Sequence, residues 1–250
     1  MRKEEVDKAR KIEHTHWWYA GTREICFDLM DRLIFSKRPA GSSRILDVGC
    51  GTGGNLEWFK KYGEAGGIDC DEHSIRYCRE KGLAARIGSM TDLARSGMRY
   101  DVVSFFDVLN QIPFSEQRGV LSQVSSILAD GGCVVLREPA MEIFAGRHDH
   151  EVGIQKRYDR ATMRDLLEAS GLSVVYLSYI NTILSLPICL TRKIGLLLDK
   201  SPRSDVVETG PLLNSLFLFT LRLEKFLLRF LTFPFGVSLV AIARKRVQGT

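Results

Sequence analysis

Ile45-Leu46-Asp47-Val48-Gly49-Cys50-Gly51-Thr52-Gly53-Gly54-Asn55 is the stretch that decides the fold. It reads as a buried strand that ends in a glycine turn and opens a helix. Glycines let the backbone approach a ligand closely, and α/β sheets bind ligands at the carboxyl ends of their strands. The spacing Gly49-x-Gly51-x-Gly53 differs from GxGxxG, in which a helix N-terminus receives a pyrophosphate. Here Asp47 stands two residues before the first glycine. A carboxylate at the mouth of the site repels a pyrophosphate and suits the ammonium of an amino-acid ligand. An ordinary tight turn between strand and helix is the plainer alternative.

Outward from this turn, short apolar runs alternate with helical stretches. Strands are expected at residues 44–48, 65–68, 84–87, 100–106, 133–137, 173–178 and 238–243. Helices are expected near 55–61, 71–81, 117–128 and 162–169, the last capped by Asp159 or Thr162. Residues 4–35 also read as helical, with an interruption at 17–21. Strands rich in Val, Ile and Leu between helices imply a doubly wound α/β fold, with a mostly parallel seven-stranded sheet covered on both faces. Asp69 ends the second strand, where an acid can accept hydrogen bonds from ribose hydroxyls; Asp71 is the better helix cap. Ser89 and Met90 follow the third strand and Asp107 ends the fourth, beside the place of a transferred group.

Together these segments resemble the class I S-adenosylmethionine-dependent methyltransferases. ILDVGCGTG matches the family's glycine motif, GGID its acidic second strand and YDVVSFFDVL its fourth strand. VLSQVSSILADGGCVVL looks like its helix, Gly-Gly turn and fifth strand. The resemblance covers residues 44–171 and the last strand. It implies S-adenosylmethionine as cofactor, with Asp47, Gly49, Cys50, Gly51 and Asn55 around its methionine part. It further implies Asp69 and Cys70 at the ribose, Ser89 and Met90 at adenine, and Phe106 and Asp107 beside the transferred methyl. Many relatives carry Glu-His after the fourth-strand Leu, where this chain has Asn110-Gln111. The segment His16-Trp17-Trp18-Tyr19-Ala20-Gly21-Thr22-Arg23 resembles an aromatic and Arg lead-in of small-molecule methyltransferases that covers the cofactor. Trp18 and Tyr19 can stack or exclude water, and Arg23 can pair with a carboxylate. Packing of the same aromatics on the sheet edge is equally open.

Methyl transfer needs alignment, dryness and, for a hydroxyl acceptor, a base. His148 beside Asp149 is the candidate base, with Asp107 as a further catalytic candidate. Asn110, Glu138, His150, Arg157 and Tyr158 are candidates for substrate binding, although a solvated charged loop is the bland reading of 147–159. The expected acceptor is a small-molecule, glycan or lipid-like hydroxyl in a biosynthetic pathway. Nitrogen or carbon acceptors, or a non-catalytic partner module that binds the cofactor, are the alternatives. An NAD-dependent dehydrogenase is disfavoured by the glycine spacing.

The bulk properties bound these readings. A chain of 250 residues with 45% hydrophobic and 26% charged composition can bury one sizeable core. A net charge of +5 is no nucleic-acid footprint. The six cysteines, Cys26, Cys50, Cys70, Cys78, Cys133 and Cys189, are scattered without metal-ligand spacing, so reduced thiols and no metal are expected. Residues 1–10 are charged and lack the apolar core of a secretory signal, which points to the cytoplasm. The expected organisation is one methyltransferase domain over 1–250: a helical cap (1–40), a cofactor-binding core (41–180), an apolar helical insertion (181–235) and a last strand (236–250). Charged residues interrupt the insertion, which disfavours a membrane span. It can instead be extra core, line an acceptor site, lie on a membrane surface with Arg192, Lys193, Arg222, Lys225 and Arg229 at the headgroups, or form a homodimer.

Overall fold

The computed structural model describes residues 7, 10–146, 149, 153–197 and 209–246. Seven strands form one sheet in the order β3-β2-β1-β4-β5-β7-β6. They are β1 (Ser43–Val48), β2 (Gly63–Asp69), β3 (Ala85–Ile87), β4 (Tyr100–Phe106), β5 (Leu128–Pro139), β6 (Leu172–Ile180) and β7 (Ser238–Lys245). The ladders from β3 through β5 are parallel, whereas β7 runs antiparallel to both β5 and β6. The doubly wound, mostly parallel sheet expected from the alternation of apolar runs is therefore present.

Alternation along each central strand feeds two cores, as the pleat requires. Leu46, Val48, Val103, Phe105, Val134 and Leu136 point to one face. There they meet α4 (Phe114–Ile127) and α5 (Arg160–Ala169) through Val120, Leu121, Val124, Met163 and Leu167. Ile45, Val102, Val135, Val240 and Ile242 point to the other. That face is covered by α1 (Trp17–Leu33) and by α7 (Pro211–Leu227) through Ile25, Phe27, Met30 and Leu221. A smaller cluster joins α2 (Gly54–Phe59) to α3 (Glu72–Glu80) through Leu56, Ile75 and Cys78. A further helix, α6 (Ser185–Leu197), and α7 lie in the long connection from β6 to β7. Among the described residues no helix is long and apolar enough to cross a membrane.

One local expectation is corrected. The helix does not break at 17–21; α1 begins at Trp17 and runs through that stretch. The chain turns at 13–16 instead, and the His16 imidazole caps the helix by accepting from the Trp18 amide. Gly21 is required inside α1 because a Cβ there would overlap the Leu221 side chain of α7. Asp159 caps α5 by accepting from the Thr162 amide at 2.7 Å, and Asp71 caps α3 through the Ser74 amide.

Candidate functional site

The carboxyl ends of β1, β2, β4 and β5 converge on one edge because these strands are parallel neighbours. At the end of β1 the glycine turn takes left-handed backbone, with φ of 71° at Gly49 and 51° at Gly51. A Cβ at Gly49 would overlap the Val108 side chain, while the space over Gly51 is open. The Gly51 amide donates to Asp69 Oδ2 at 2.9 Å, so the carboxylate that ends β2 fixes the turn that ends β1. Asp69 Oδ1 accepts from the Asp71 amide, also at 2.9 Å.

Asp47 lies beneath the turn and is 1% exposed. Ser104 on β4 donates to its Oδ1 at 2.6 Å, and its Oδ2 has no partner. Burial pushes this carboxyl up to about 7, with the neighbouring Asp69 charge acting in the same direction and the Ser104 hydrogen bond against it. A buried carboxylate with one oxygen unanswered is costly unless a cation reaches it.

The cap closes over the turn from the other side. Arg23 is buried on α1, donating through Nε to Asn55 Oδ1 at 3.0 Å and through a terminal nitrogen to the Glu13 carbonyl. Glu13 accepts from the Thr52 hydroxyl at 2.8 Å and pairs with Lys81 at 3.1 Å. Trp17 is buried against Phe217 of α7, whereas Trp18 and Tyr19 are half-buried. Trp17 and Trp18 both pack on the core beneath α1, and Trp18 and Tyr19 stay partly accessible.

Beyond β4, Asp107 adopts φ of 60° and pairs with Arg137 at the end of β5. The Arg137 guanidinium also donates to Thr22 of α1 at 2.8 Å and lies 5.5 Å from the Phe106 ring centre. Arg137, Glu13, Lys81 and Ser104 are among the members of this constellation that the sequence reading did not single out. An arginine ending an otherwise apolar buried strand is the one visible signal among them.

Comparison with known proteins now bears on this geometry. A family model described as a methyltransferase domain matches residues 17–177. The chain belongs to that family. It is a class I methyltransferase domain, in keeping with its strand order, and S-adenosylmethionine is its cofactor. A dTDP-3-amino-3,4,6-trideoxy-alpha-D-glucopyranose N,N-dimethyltransferase of Streptomyces venezuelae is 34% identical over 114 residues, 44% of this chain and 47% of that protein. The chain therefore spans about half the length of the curated relative it matches. A SAM-dependent methyltransferase of Archaeoglobus fulgidus shares the fold, with a TM-score of 0.57 at 18% identity over 89% of this chain and 94% of that one. So does a magnesium protoporphyrin IX methyltransferase of Synechocystis solved with bound SAM, with a TM-score of 0.53 at 16% identity over 91% and 81%.

The remaining expected site residues of this methyltransferase domain fall in different surroundings. Cys50 is buried, with its sulfur against the backbone of Gly67, and Cys70 is exposed. Ser89 caps the turn Met90–Ser96 by accepting from the Thr91 amide, and Met90 rests half-buried on the main core. Glu138 is fully buried; its carboxylate accepts from the Leu109 amide at 2.9 Å, the Asn110 side-chain amide at 2.7 Å and the Asn110 and Val108 amides. Burial pushes it up to about 8. Glu138 and Asn110 thus hold the loop after β4 together. Tyr158 is likewise fully buried and donates to Gln117 Oε1. Arg157 makes a two-pronged pair with Asp149, at 2.6 and 2.7 Å, and donates to the Ala140 carbonyl. His148 and His150 lie outside the described residues.

Proposed function

We propose that this domain transfers a methyl group from S-adenosylmethionine to a hydroxyl or amine of a small molecule bound over the carboxyl ends of β4 and β5. The observation that carries the proposal is the convergence of Asp47, the glycine turn and Asp69 on the same sheet edge as the Asp107–Arg137 pair. The residues fit the cofactor: the unanswered Asp47 oxygen suits its ammonium, the open space over Gly51 admits its backbone approach, and Asp69 suits its ribose hydroxyls. We assign Gly49, Cys50 and Asn55 to the walls around its methionine part, with Arg23 aligning Asn55. Cys70, Ser89 and Met90 flank its nucleoside, and Trp18, Tyr19 and Phe106 shield its sulfonium from water. When bound, the cofactor supplies an electrophilic methyl carbon.

The chain's own contribution is orientation and dryness. Arg137 holds the Asp107 carboxylate in its left-handed position, where it can accept a hydrogen bond from the acceptor's O–H or N–H and fix its approach. A hydroxyl acceptor needs a base, and His148 is assigned that role, with His150 and Arg157 assigned to the acceptor. An amine acceptor in its neutral form needs none. The Streptomyces relative, named for N,N-dimethylation of an amino sugar, favours the amine as the second reading. Turnover assays with amino sugars and with their hydroxyl counterparts separate the two. Asp107→Asn is expected to lower kcat about 10- to 100-fold with cofactor affinity kept. Methylation of neither acceptor class by a protein that binds the cofactor would overturn the sugar hydroxyl and amine readings and leave a carbon acceptor or the partner module.

The raised Asp47 carboxyl gives a second expected result. Near a pKa of about 7, Asp47 is largely protonated at pH 6, and an ammonium gains nothing from a neutral acid. Affinity for S-adenosylmethionine should therefore fall as pH drops below 7, by up to about tenfold per unit. Calorimetry in buffers of different ionisation enthalpy should register proton release on binding at pH 6. A flat affinity between pH 5.5 and 8 would sink the assignment of Asp47 to the ammonium.

A further inference from the structure

Among the described residues nothing covers the apolar outer face of α7. Leu212, Leu216, Phe219, Leu223, Phe226 and Phe230 recur at alternating steps of four and three residues and are 44–88% exposed. On the opposite side the same helix buries Leu221 and Glu224 and rests Phe217 on Trp17. One side of α7 thus serves the core and the other a second apolar surface. Continuous apolar patches of this kind mark docking sites. Phe235, whose carbonyl accepts from the Thr182 hydroxyl, and Ile183 are exposed apolar side chains as well.

Charge around the stripe selects its occupant. Among the described residues of 172–246 the single acidic one is Glu224, and it is fully buried; Asp199, Asp205 and Glu208 lie outside the described residues. Arg222 and Arg229 border the stripe with side chains 54% and 46% exposed. Their partners on α1, Glu24 and Asp28, are sunk to 17% and 14%. Lys225 shares Glu24, and Arg32 shares Asp28. Four cations are therefore set against two carboxylates, and the carboxylates are the recessed members. These basic side chains lean toward α1 rather than standing free as a headgroup-binding row, yet the field they leave outside is positive.

A second copy would set this positive border against itself. An anionic bilayer offers the complementary charge, and its interfacial region accepts Leu and Phe side chains from a helix lying in the plane. We infer that α7 and the turn after it dock this domain on the surface of an anionic membrane, with the Leu/Phe stripe inserted at the acyl boundary. The inference rests on this surface alone and is independent of the acceptor's identity.

Sedimentation of the full chain with vesicles of phosphatidylcholine, with or without phosphatidylglycerol, tests it. Binding is expected to the anionic vesicles, weakened by added salt. Phe219→Ser combined with Phe226→Ser should weaken it about tenfold or more, with affinity for S-adenosylmethionine retained as the readout of folding. Leu212→Ser, at the most exposed position, provides a second variant with no core contact to lose. Equal or absent binding to both vesicle types would overturn the inference, as would unchanged binding by the variants. A dimer mass in light scattering that reverts to monomer in Phe219→Ser/Phe226→Ser would place a second copy on the face and overturn it equally.

Discussion

Asp69→Ala is expected to weaken S-adenosylmethionine binding by more than about 100-fold, measured by calorimetry on the purified chain. Two losses combine. A carboxylate that accepts from two ribose hydroxyls contributes charge-assisted hydrogen bonds of about 1.5–3 kcal/mol each, and about 3 kcal/mol already corresponds to more than 100-fold. The same carboxylate also accepts from the Gly51 and Asp71 amides, so its removal frees the glycine turn as well as the ribose. Asp69→Asn separates the two effects: its carbonyl oxygen can keep one amide, its nitrogen cannot accept at all, and an intermediate affinity is expected. The folded state should lose only about 1–2 kcal/mol in Asp69→Ala, because Asp69 is half-buried and water can reach part of the gap. An alanine variant that binds within threefold of the parent would remove Asp69 from the cofactor site.

Where local chemistry decides an element, the sequence announces it. β4 lies at 100–106 as its apolar run foretells, and β1 and β2 lie within two residues of expectation: β1 and β4 carry apolar runs, and β2, poorer in them, is placed by its small residues and Ile68 ahead of Asp69. β5 extends further than its apolar run, from Leu128 through the Asp130-Gly131-Gly132 segment, since Leu128 pairs with Tyr100 across an irregular register. The positions of Asp47 near the end of β1, Gly51 in the turn after it and Asp69 at the end of β2 follow from the same local pattern. What escapes is set by partners far along the chain. Trp17 to Gly21 resembles a helix break until Leu221, two hundred positions on, explains why a glycine must stand there. Glu138 looks like an acid at the mouth of the site, but the amides of 108–110 fold over it and make it internal. Arg137 looks like the end of a strand, and its roles come from Thr22 and Asp107, which only the tertiary fold brings near.

Glu224 is the clearest case, and its replacement should have the largest effect on stability. In sequence it is a charge interrupting an apolar helix; in the fold it is fully buried, its carboxylate accepting from three successive backbone amides, Asn181 at 2.5 Å, Thr182 at 2.9 Å and Ile183 at 3.2 Å. This ties the chain leaving β6 to the last turn of α7, with Asn181 held at φ of 58°. Alanine would orphan two buried donors and one partly buried, each buried one worth about 1–3 kcal/mol, less the relief of no longer burying a carboxylate. The net expectation is a loss of about 3–4 kcal/mol, read as a lower denaturant midpoint and a melting temperature roughly 6–16 °C lower. Glu224→Gln can still accept one or two of the amides and should recover about half of the loss. Burial holds the Glu224 carboxyl above its usual range despite those amides. The parent therefore keeps this residue's full contribution below the unfolded value and loses part of it as pH rises through the folded value, a slope that Glu224→Gln should lack. Alanine and parent proteins of equal stability would show that the amides find water instead, and that α7 is held to the sheet by Leu221 and its apolar neighbours alone.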